Sequence, residues 1–501
     1  MPLQEPPFNH YAGQEDLIED FYKLLKFCIE IPILKHLQYF TMGATTLHLS
    51  FKEMQELCFN SLQDCSATKE ILTAVPEDFR VIKYELNLIA EHPAGYLGVH
   101  QYLLVEISNP FKSDRNDETH KVLRFFTKSA PMEIPSRMAY IEEFGVFKKE
   151  ILAYREVLPR LEQIFGQVAP RCYYADKNML IFEDLKHKGY RMGAKRDGLL
   201  DYQHLSCAIK SLAKMHAASL IYEMRMKSKM NALHPDAVVE NAYPLNMKTT
   251  HVRYQNFSNA VNVYKEILRL LPKYEKNLEN ILHQLPEKMQ KIFELSQTSN
   301  KYCNVFSHAD LWANNVMFRY SPNDHEPIEC RFVDFQLARY APPMLDLITI
   351  LTIPTSREFR KSHLMPLLTE YYQYMSHLMK RESLSLDQFL TQEQFYASFE
   401  EFRICGLIES LLFSHLTILP GELTQSLTSS ANGFSDFFNR KRVEICLKAF
   451  HTDEVYRTRL CDMLEDLLPR VFNPNRLNSY TEKCLVQSVD QTISCLQVVF
   501  V

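Results

Sequence analysis

From Val81 the chain changes texture, and that change limits its possible folds more than any single motif does. Tyr84–Ala90, Tyr102–Ile107 and Val122–Thr127 are short apolar runs of strand type. The segments between them, around His92-Pro-Ala-Gly95 and from Ser108-Asn-Pro110 onward, carry turn residues. Three strands joined in this way predict an antiparallel sheet. Ala139–Val157 has helical spacing and is predicted to stop at Pro159, because proline cannot donate to the helix ladder. Two further strand-like runs lie around Cys172–Tyr174 and Met179–Phe182. Beyond Leu185 the pattern is mainly helical to the C-terminus. An apolar, aromatic island interrupts it at Val305-Phe306, Val316–Phe318 and Arg331–Val333.

A small strand-rich part followed by a large helical part is an α+β, two-lobed pattern. The expected organisation is a helical extension over residues 1–80, a sheet-bearing lobe over 81–183 and a helical lobe over 184–501. The boundary is expected near Phe182–Lys186, and cofactor clefts commonly lie between such units. No chemistry attaches to the first 80 residues.

Composition removes several function classes. The 501 residues are 46% apolar and 23% charged with a net charge of -5, and no basic stripe is interleaved with aromatics. Neither nucleic acid nor an anionic membrane is therefore an expected partner. Only 12 glycines occur and none forms a G-x-G-x-x-G, which argues against dinucleotide binding. The 12 cysteines contain no C-x-x-C pair, so they are expected to be small buried hydrophobes in a reducing compartment. Met1–Gln14 is polar, and Leu24–Leu37 is broken by Lys26, Glu30, Pro32, Lys35 and His36. Neither a secretory signal nor a membrane span is expected, and a cytoplasmic location follows.

The island after Tyr302 carries the chemistry. Asp310 and Asn315, in His308-Ala-Asp-Leu-Trp-Ala-Asn-Asn315, have the D-x-x-x-x-N interval of phosphotransfer catalytic loops. Such a loop delivers a carboxylate to an attacking hydroxyl and an amide oxygen to magnesium. A strand at Val316–Phe318, a turn at Ser321–Asp324 and a strand at Ile328–Val333 would form a hairpin. That hairpin would return Asp334, of Asp334-Phe-Gln336, beside Asn315. His308 alone reads as a hydrogen-bonded structural residue. Trp312, the chain's single tryptophan, alone reads as core.

The joint pattern resembles the ecdysteroid kinase-like family of insects, within the wider choline kinase and aminoglycoside phosphotransferase group. Further marks occur in order: Lys128-Ser-Ala-Pro131, Phe147-x-x-Glu150-x-x-x-Tyr154, Phe182-Glu-Asp-Leu185, and Leu212-Ala-Lys-Met-His216-Ala217. The similarity spans about residues 80 to 450. Protein kinases proper fit less well, since H-R-D, D-F-G and A-P-E are absent.

The resemblance implies a protein-kinase-like fold using ATP and Mg2+ to phosphorylate a small-molecule alcohol. Asp310 would be the general base, and Asn315 and Asp334 would hold the magnesium. Lys128 would contact the α- and β-phosphates while paired with Glu150. Backbone groups at Glu183, Asp184 and Leu185 would receive adenine. From the residues alone, Lys121 competes with Lys128, and Glu142 and Glu143 compete with Glu150. Two departures stand out. Ala309 occupies a position where the family usually has glycine, and Pro93-Ala-Gly95-Tyr-Leu-Gly98 is an atypical phosphate loop.

An ecdysteroid or similar lipophilic alcohol is the expected acceptor. Ile408–Phe413 through Leu419 and Leu347–Ile353, apolar with few carboxylates, read first as core helix faces and second as candidate pocket walls. A choline- or ethanolamine-type kinase and a catalytically silent nucleotide-binding scaffold are the alternative readings. The oligomeric state is open.

Overall fold

The computed structural model describes residues 49–65, 80–89, 97–108, 120–193, 198–322, 326–429 and 432–472. Two compact units divide the chain: residues 1–87 with 102–124, and residues 88–101 with 125–501.

In the first unit, the helix Phe51–Cys65 begins at a reciprocal cap. The Glu53 N–H donates to Ser50 Oγ at 3.2 Å, and the Ser50 N–H donates to Glu53 Oε2 at 2.7 Å. The rest of the helical expectation for residues 1–80 lies almost wholly outside the described residues. Strand β1 (Val81–Leu88) follows, and Lys83 reaches Glu106 of β2 (Val99–Ser108) at 3.0 Å. Strand β3 is His120–Ser129. Both β2 and β3 continue as chain into the second unit.

That unit adds β4 (Cys172–Asp176) and β5 (Met179–Glu183), giving a five-stranded sheet in the order β1-β2-β3-β5-β4. β5 is antiparallel to both β3 and β4, with Lys128 opposite Leu180. The helix predicted to end at Pro159 is different in form. It breaks at Gly145, which has φ 60°, and its second part (Val146–Leu152) passes through a π turn at Ala153–Val157. It then runs beyond Pro159 to Phe165. The π turn carries the ladder to the Leu158 N–H, which donates to Ala153 O, and the helix continues past Pro159 without an N–H there.

The core is built on Tyr202–Met226, which packs against Arg357–Arg381. Pro343–Thr352 packs against Gln392–Thr417 so closely that a Cβ on Gly406 would lie 2.3 Å from Ile348 Cγ2. Leu347–Ile353 is therefore fully buried core, the first of its two readings, and not a pocket wall. Its apolar run reflects packing on two neighbours rather than a ligand surface. Among the described residues no single helix is long and apolar enough to cross a membrane.

The island is a hairpin of β8 (Val316–Tyr320) and β9 (Pro327–Phe332), preceded by β7 (Val305–Ser307). Val316 faces Phe332, and the Val333 N–H donates to the Asn315 carbonyl at 3.0 Å. The turn residues Asn323 and Asp324 lie outside the described residues. Two three-residue strands were not expected: β6 (Tyr190–Met192) pairs with β8, and β10 (Arg339–Ala341) with β7. Three residues are too few to show a period of two.

Candidate active site

Strand β3 supplies the first half of the site. Lys128, near its end, is 5% exposed, so its ammonium needs partners. It donates to Glu150 Oε2 at 2.6 Å and to Asp334 Oδ1 at 2.7 Å. Burial works against the charged ammonium. Asp334 and Glu150 outweigh burial and hold its pKa above the ordinary lysine value. Glu150 is 1% exposed, whereas Glu142 and Glu143 are exposed. Lys128, not Lys121, therefore carries the ion pair. Gly98 keeps the lysine stem in place by being small: a Cβ there would meet Lys128 Cγ at 2.9 Å. The remainder of the loop from Pro93 to Tyr96 lies outside the described residues.

The hairpin makes the second half. It carries Asp334 back beside Asn315 through the Val333–Asn315 bond. Asn315 Nδ2 donates to the Asp310 carbonyl at 2.7 Å, so the amide nitrogen is spent on the loop and its oxygen is not. Asp310 is 7% exposed and accepts from Gln336 Nε2 at 3.3 Å. Burial, then the charge of Asp334, pushes its carboxyl well above the usual carboxylate range. Three carboxyl groups thus crowd around one lysine, and burial holds Asp310 and Glu150 toward their neutral forms until a cation arrives. Such crowding fits an added cation, and two carboxylates with an amide oxygen are hard donors suited to magnesium. Among the described residues no group of three or more His, Cys, Asp or Glu forms a complete metal cage. The donor set suits an ion that completes its shell with water and phosphate.

Asp346 holds the catalytic-type loop in shape. Fully buried in the first turn of Pro343–Thr352, it accepts the His308 N–H at 2.7 Å and the Ala309 N–H at 2.9 Å. His216 Nε2 lies 3.2 Å from it, and His216 Nδ1 lies 2.7 Å from the Tyr371 hydroxyl. Burial would raise the Asp346 carboxyl, but His216, His308 and the Ala309 N–H together hold it below its usual range. His308 is structural: its Nδ1 accepts the Asp310 N–H at 3.2 Å, so Nε2 carries the proton donated to Val333 O at 2.9 Å. Tyr154 packs edge-on against both Phe182 and Phe335, and Phe335 lies 4.4 Å from the His308 ring. The motif residues of β5, the Glu150 helix and Asp334-Phe-Gln336 therefore share one aromatic stack.

Asp346 was missed in the sequence. Its signal was there: one carboxylate inside the otherwise apolar Met344-Leu-Asp-Leu-Ile348. Replacing Asp346 with Ala should leave two buried backbone N–H groups and His216 Nε2 without that partner. A loss of about 3–5 kcal/mol in urea unfolding is expected. A change below about 1 kcal/mol would refute this anchoring role.

Ala309 adopts φ 64° and is buried, a conformation costing a non-glycine residue about 1–2 kcal/mol. The two N–H bonds to Asp346 hold it there. In Ala309→Gly, relief of that strain offsets the added freedom of the unfolded chain. Stability is expected to stay within about 1 kcal/mol of the native protein, with turnover equal or higher, while the β-branched Ala309→Val loses both. Thermal melts and initial rates on the three proteins check this.

Glu183, Asp184 and Leu185 stand apart from this cluster. The Glu183 N–H donates to Arg171 O at 2.9 Å and its Oε1 accepts the Arg171 N–H at 2.7 Å, while Lys188 pairs with its other oxygen. Asp184 Oδ1 accepts the His187 N–H at 3.3 Å, and Leu185 is buried against Tyr190 and Met317. Their side chains serve the local turn.

A cavity of about 190 Å³ is lined by Lys128, Asp310, Asp334 and Gln336. Its other walls include Tyr140, Phe144, Phe257 and Phe438, with Leu412–Phe413 and His415–Thr417. Trp312, half-buried, lines it rather than the core. The candidate Ile408–Leu419 wall is thus present over its later residues.

A buried lysine–glutamate pair, a carboxylate loop and a second carboxylate returned by a hairpin define a phosphotransferase of the kinase type. Residues 103–383 match the ecdysteroid kinase-like family, and the chain belongs to that family. It is a small-molecule kinase with an alcohol-group acceptor. Similar solved structures include an ethanolamine kinase of Plasmodium vivax, 13% identical, covering 90% of this chain and 99% of that one with a TM-score of 0.33. A choline kinase from Cryptosporidium parvum Iowa II is 13% identical, with coverages of 83% and 99% and a TM-score of 0.35. An aminoglycoside phosphotransferase from Alicyclobacillus acidocaldarius is 12% identical, with coverages of 81% and 99% and a TM-score of 0.30. No match was found among curated proteins.

Proposed function

We propose that the chain transfers the γ-phosphoryl group of ATP, with Mg2+, to the hydroxyl of a lipophilic alcohol such as an ecdysteroid. One observation carries the acceptor class: the cavity at Asp310 is walled by aromatic and aliphatic side chains. Among the described residues its only lining carboxylates are Asp310 and Asp334, and its other lining charges include Arg253 and Arg442. An aminoglycoside needs many carboxylates to pair with; a quaternary amine could use the aromatic rings, but Lys128 and the two arginines oppose any cationic acceptor. An apolar ring system needs no carboxylate.

In this reading Asp310 accepts a hydrogen bond from the acceptor hydroxyl and takes its proton as the oxygen attacks the γ-phosphorus. The bond from that phosphorus to the β-γ bridging oxygen breaks, leaving ADP and a phosphate ester. Gln336 holds the Asp310 carboxylate, and Asn315 fixes the loop on which it stands. Lys128 turns from Asp334 toward the phosphates while keeping Glu150. Bound Mg2+, held by Asp334 and the Asn315 oxygen, would neutralise phosphate charge. Adenine recognition is assigned, on the family pattern, to the backbone of Glu183–Leu185.

The test is magnesium-dependent thermal stabilisation by ATP, followed by turnover on ecdysteroids, sterols, choline, ethanolamine and aminoglycosides. Phosphorylation of a lipophilic alcohol alone is expected. Preferential turnover of choline or an aminoglycoside would overturn the acceptor assignment. Nucleotide binding without any turnover would favour a silent scaffold.

A further inference from the structure

The acceptor cavity holds a charge that its apolar walls do not explain. Arg442, at the start of the helix Arg442–Thr452, lines the cavity and is only 4% exposed. Its Nη1 donates to the Asn256 carbonyl at 2.7 Å, while Nε and Nη2 have no hydrogen-bond partner. Its guanidinium lies 4.4 Å from the Phe438 ring centroid and 5.4 Å from that of Phe437. Among the described residues no carboxylate forms an ion pair with it. Arg253 on the opposite helix differs: it stacks on Phe144, and its Nε lies 3.9 Å from Glu143 Oε1.

A buried cation without a counter-ion costs several kcal/mol, and buried arginines are normally paired. Arg339, more deeply buried, is bound to Glu409 at 2.9 Å and Glu240 at 3.1 Å, and buried Arg360 is paired with Asp466 at 2.9 Å. Arg442 departs from this rule on the wall of the cavity that holds Asp310. Two more polar atoms on the same walls, Asn256 Oδ1 and Thr417 Oγ1, also lack partners. Burial lowers the Arg442 pKa to about 10, which leaves it cationic at neutral pH.

We propose that Arg442 is a specificity residue for an oxyanion on the acceptor, so that the preferred substrate is a lipophilic hydroxy acid: an apolar body with a hydroxyl at one end and a carboxylate or sulfate at the other. The anion completes the ion pair that the fold leaves open, and Asn256 and Thr417 take remaining polar groups. The orientation, hydroxyl toward Asp310, rests on the proposed phosphotransfer reading; the anion site itself does not.

The test compares a hydroxysteroid carboxylic acid with its methyl ester and with the corresponding sulfate. Binding to the native enzyme, Arg442→Met and Arg442→Lys is measured by calorimetry without ATP, and then kcat and KM are measured with Mg-ATP. The native enzyme is expected to bind the acid about 10–100-fold more tightly than the ester, the range of a desolvated charge-assisted bond. Arg442→Met should erase that preference while leaving ester and ATP binding unchanged, and Arg442→Lys should retain part of it. A sulfate preferred over the carboxylate would assign the site to sulfate esters within the same chemistry. Equal binding of acid and ester by the native enzyme, no binding of the acid, or equal weakening of both by Arg442→Met would overturn the proposal. Should Arg442→Met not fold, the acid-to-ester ratio of the native enzyme still decides. Arg442-dependent binding of the acid without phosphate transfer would keep the anion site and reject the Asp310 reading.

Discussion

Asp310→Asn is expected to lower kcat by about 10²–10⁴-fold, the contribution of a positioned general base. The affinity for Mg-ATP should change by less than about threefold. The substitution preserves shape, so the hydrogen bond with Gln336 and the Asn315 bond to the residue 310 carbonyl, at 2.7 Å, can persist. It removes the group placed to take the hydroxyl proton. It also removes a like-charge neighbour of Asp334, whose charge is part of what raises the Asp310 pKa. The folded protein should therefore be no less stable than the native one. Wild-type turnover in this variant would reject Asp310 as base. Loss of Mg-ATP binding would instead make Asp310 a nucleotide ligand.

Changing Asp334 has a different signature, because this carboxylate has two tasks. In the described state it is the second partner of Lys128, at 2.7 Å, and it is proposed as a magnesium ligand. Asp334→Asn and Asp334→Ala are expected to weaken Mg-ATP binding by about 100-fold, the effect of removing one charged hydrogen-bonding group from a buried site. ATP binding without metal should fall far less. Calorimetric titrations with and without magnesium separate the two effects; if magnesium still strengthens ATP binding as much as in the native protein, Asp334 is not its ligand. The pair of variants also reads backbone strain. Residue 334 has φ 70°, which Asn tolerates and Ala tolerates less well. Asp334→Ala should therefore lose about 1 kcal/mol more stability than Asp334→Asn.

What the linear chain revealed about the fold depended on length of pattern. Strands of five to ten residues showed themselves, and the hairpin that joins Asn315 to Asp334 followed from two apolar runs and a turn. The three-residue β6 and β10 did not, and neither did the π turn that lets the helix continue through Pro159. These depend on neighbours: a strand that short exists only because β8 or β7 offers its edge.

The site divides in the same way. Motif spacing was enough to single out Asp310, Asn315 and Asp334, since loop and hairpin geometry are local and determined by few residues. Glu150 was chosen among its rivals only through the family pattern, whereas Lys128, with Lys121 as runner-up, was also favoured by its place at the end of an apolar strand. The fold makes the choice by burial, because a lysine at 5% exposure must be paired, and Glu142 and Glu143 are exposed on the separate helix before Gly145. His216 stood in a family mark and Asp346 as a lone carboxylate in an apolar run, but the tasks of both, and of Arg442, were not readable from the sequence. Asp346 acts on a loop 37 and 38 residues away in sequence and on His216 at a separation of 130. The significance of Arg442 is the lack of a counter-ion, which no residue string records. The sequence by itself determined the class of chemistry, because catalytic spacing is local. Only the tertiary structure decided which charges are satisfied and which await a ligand, because pairing and desolvation are properties of the packed interior.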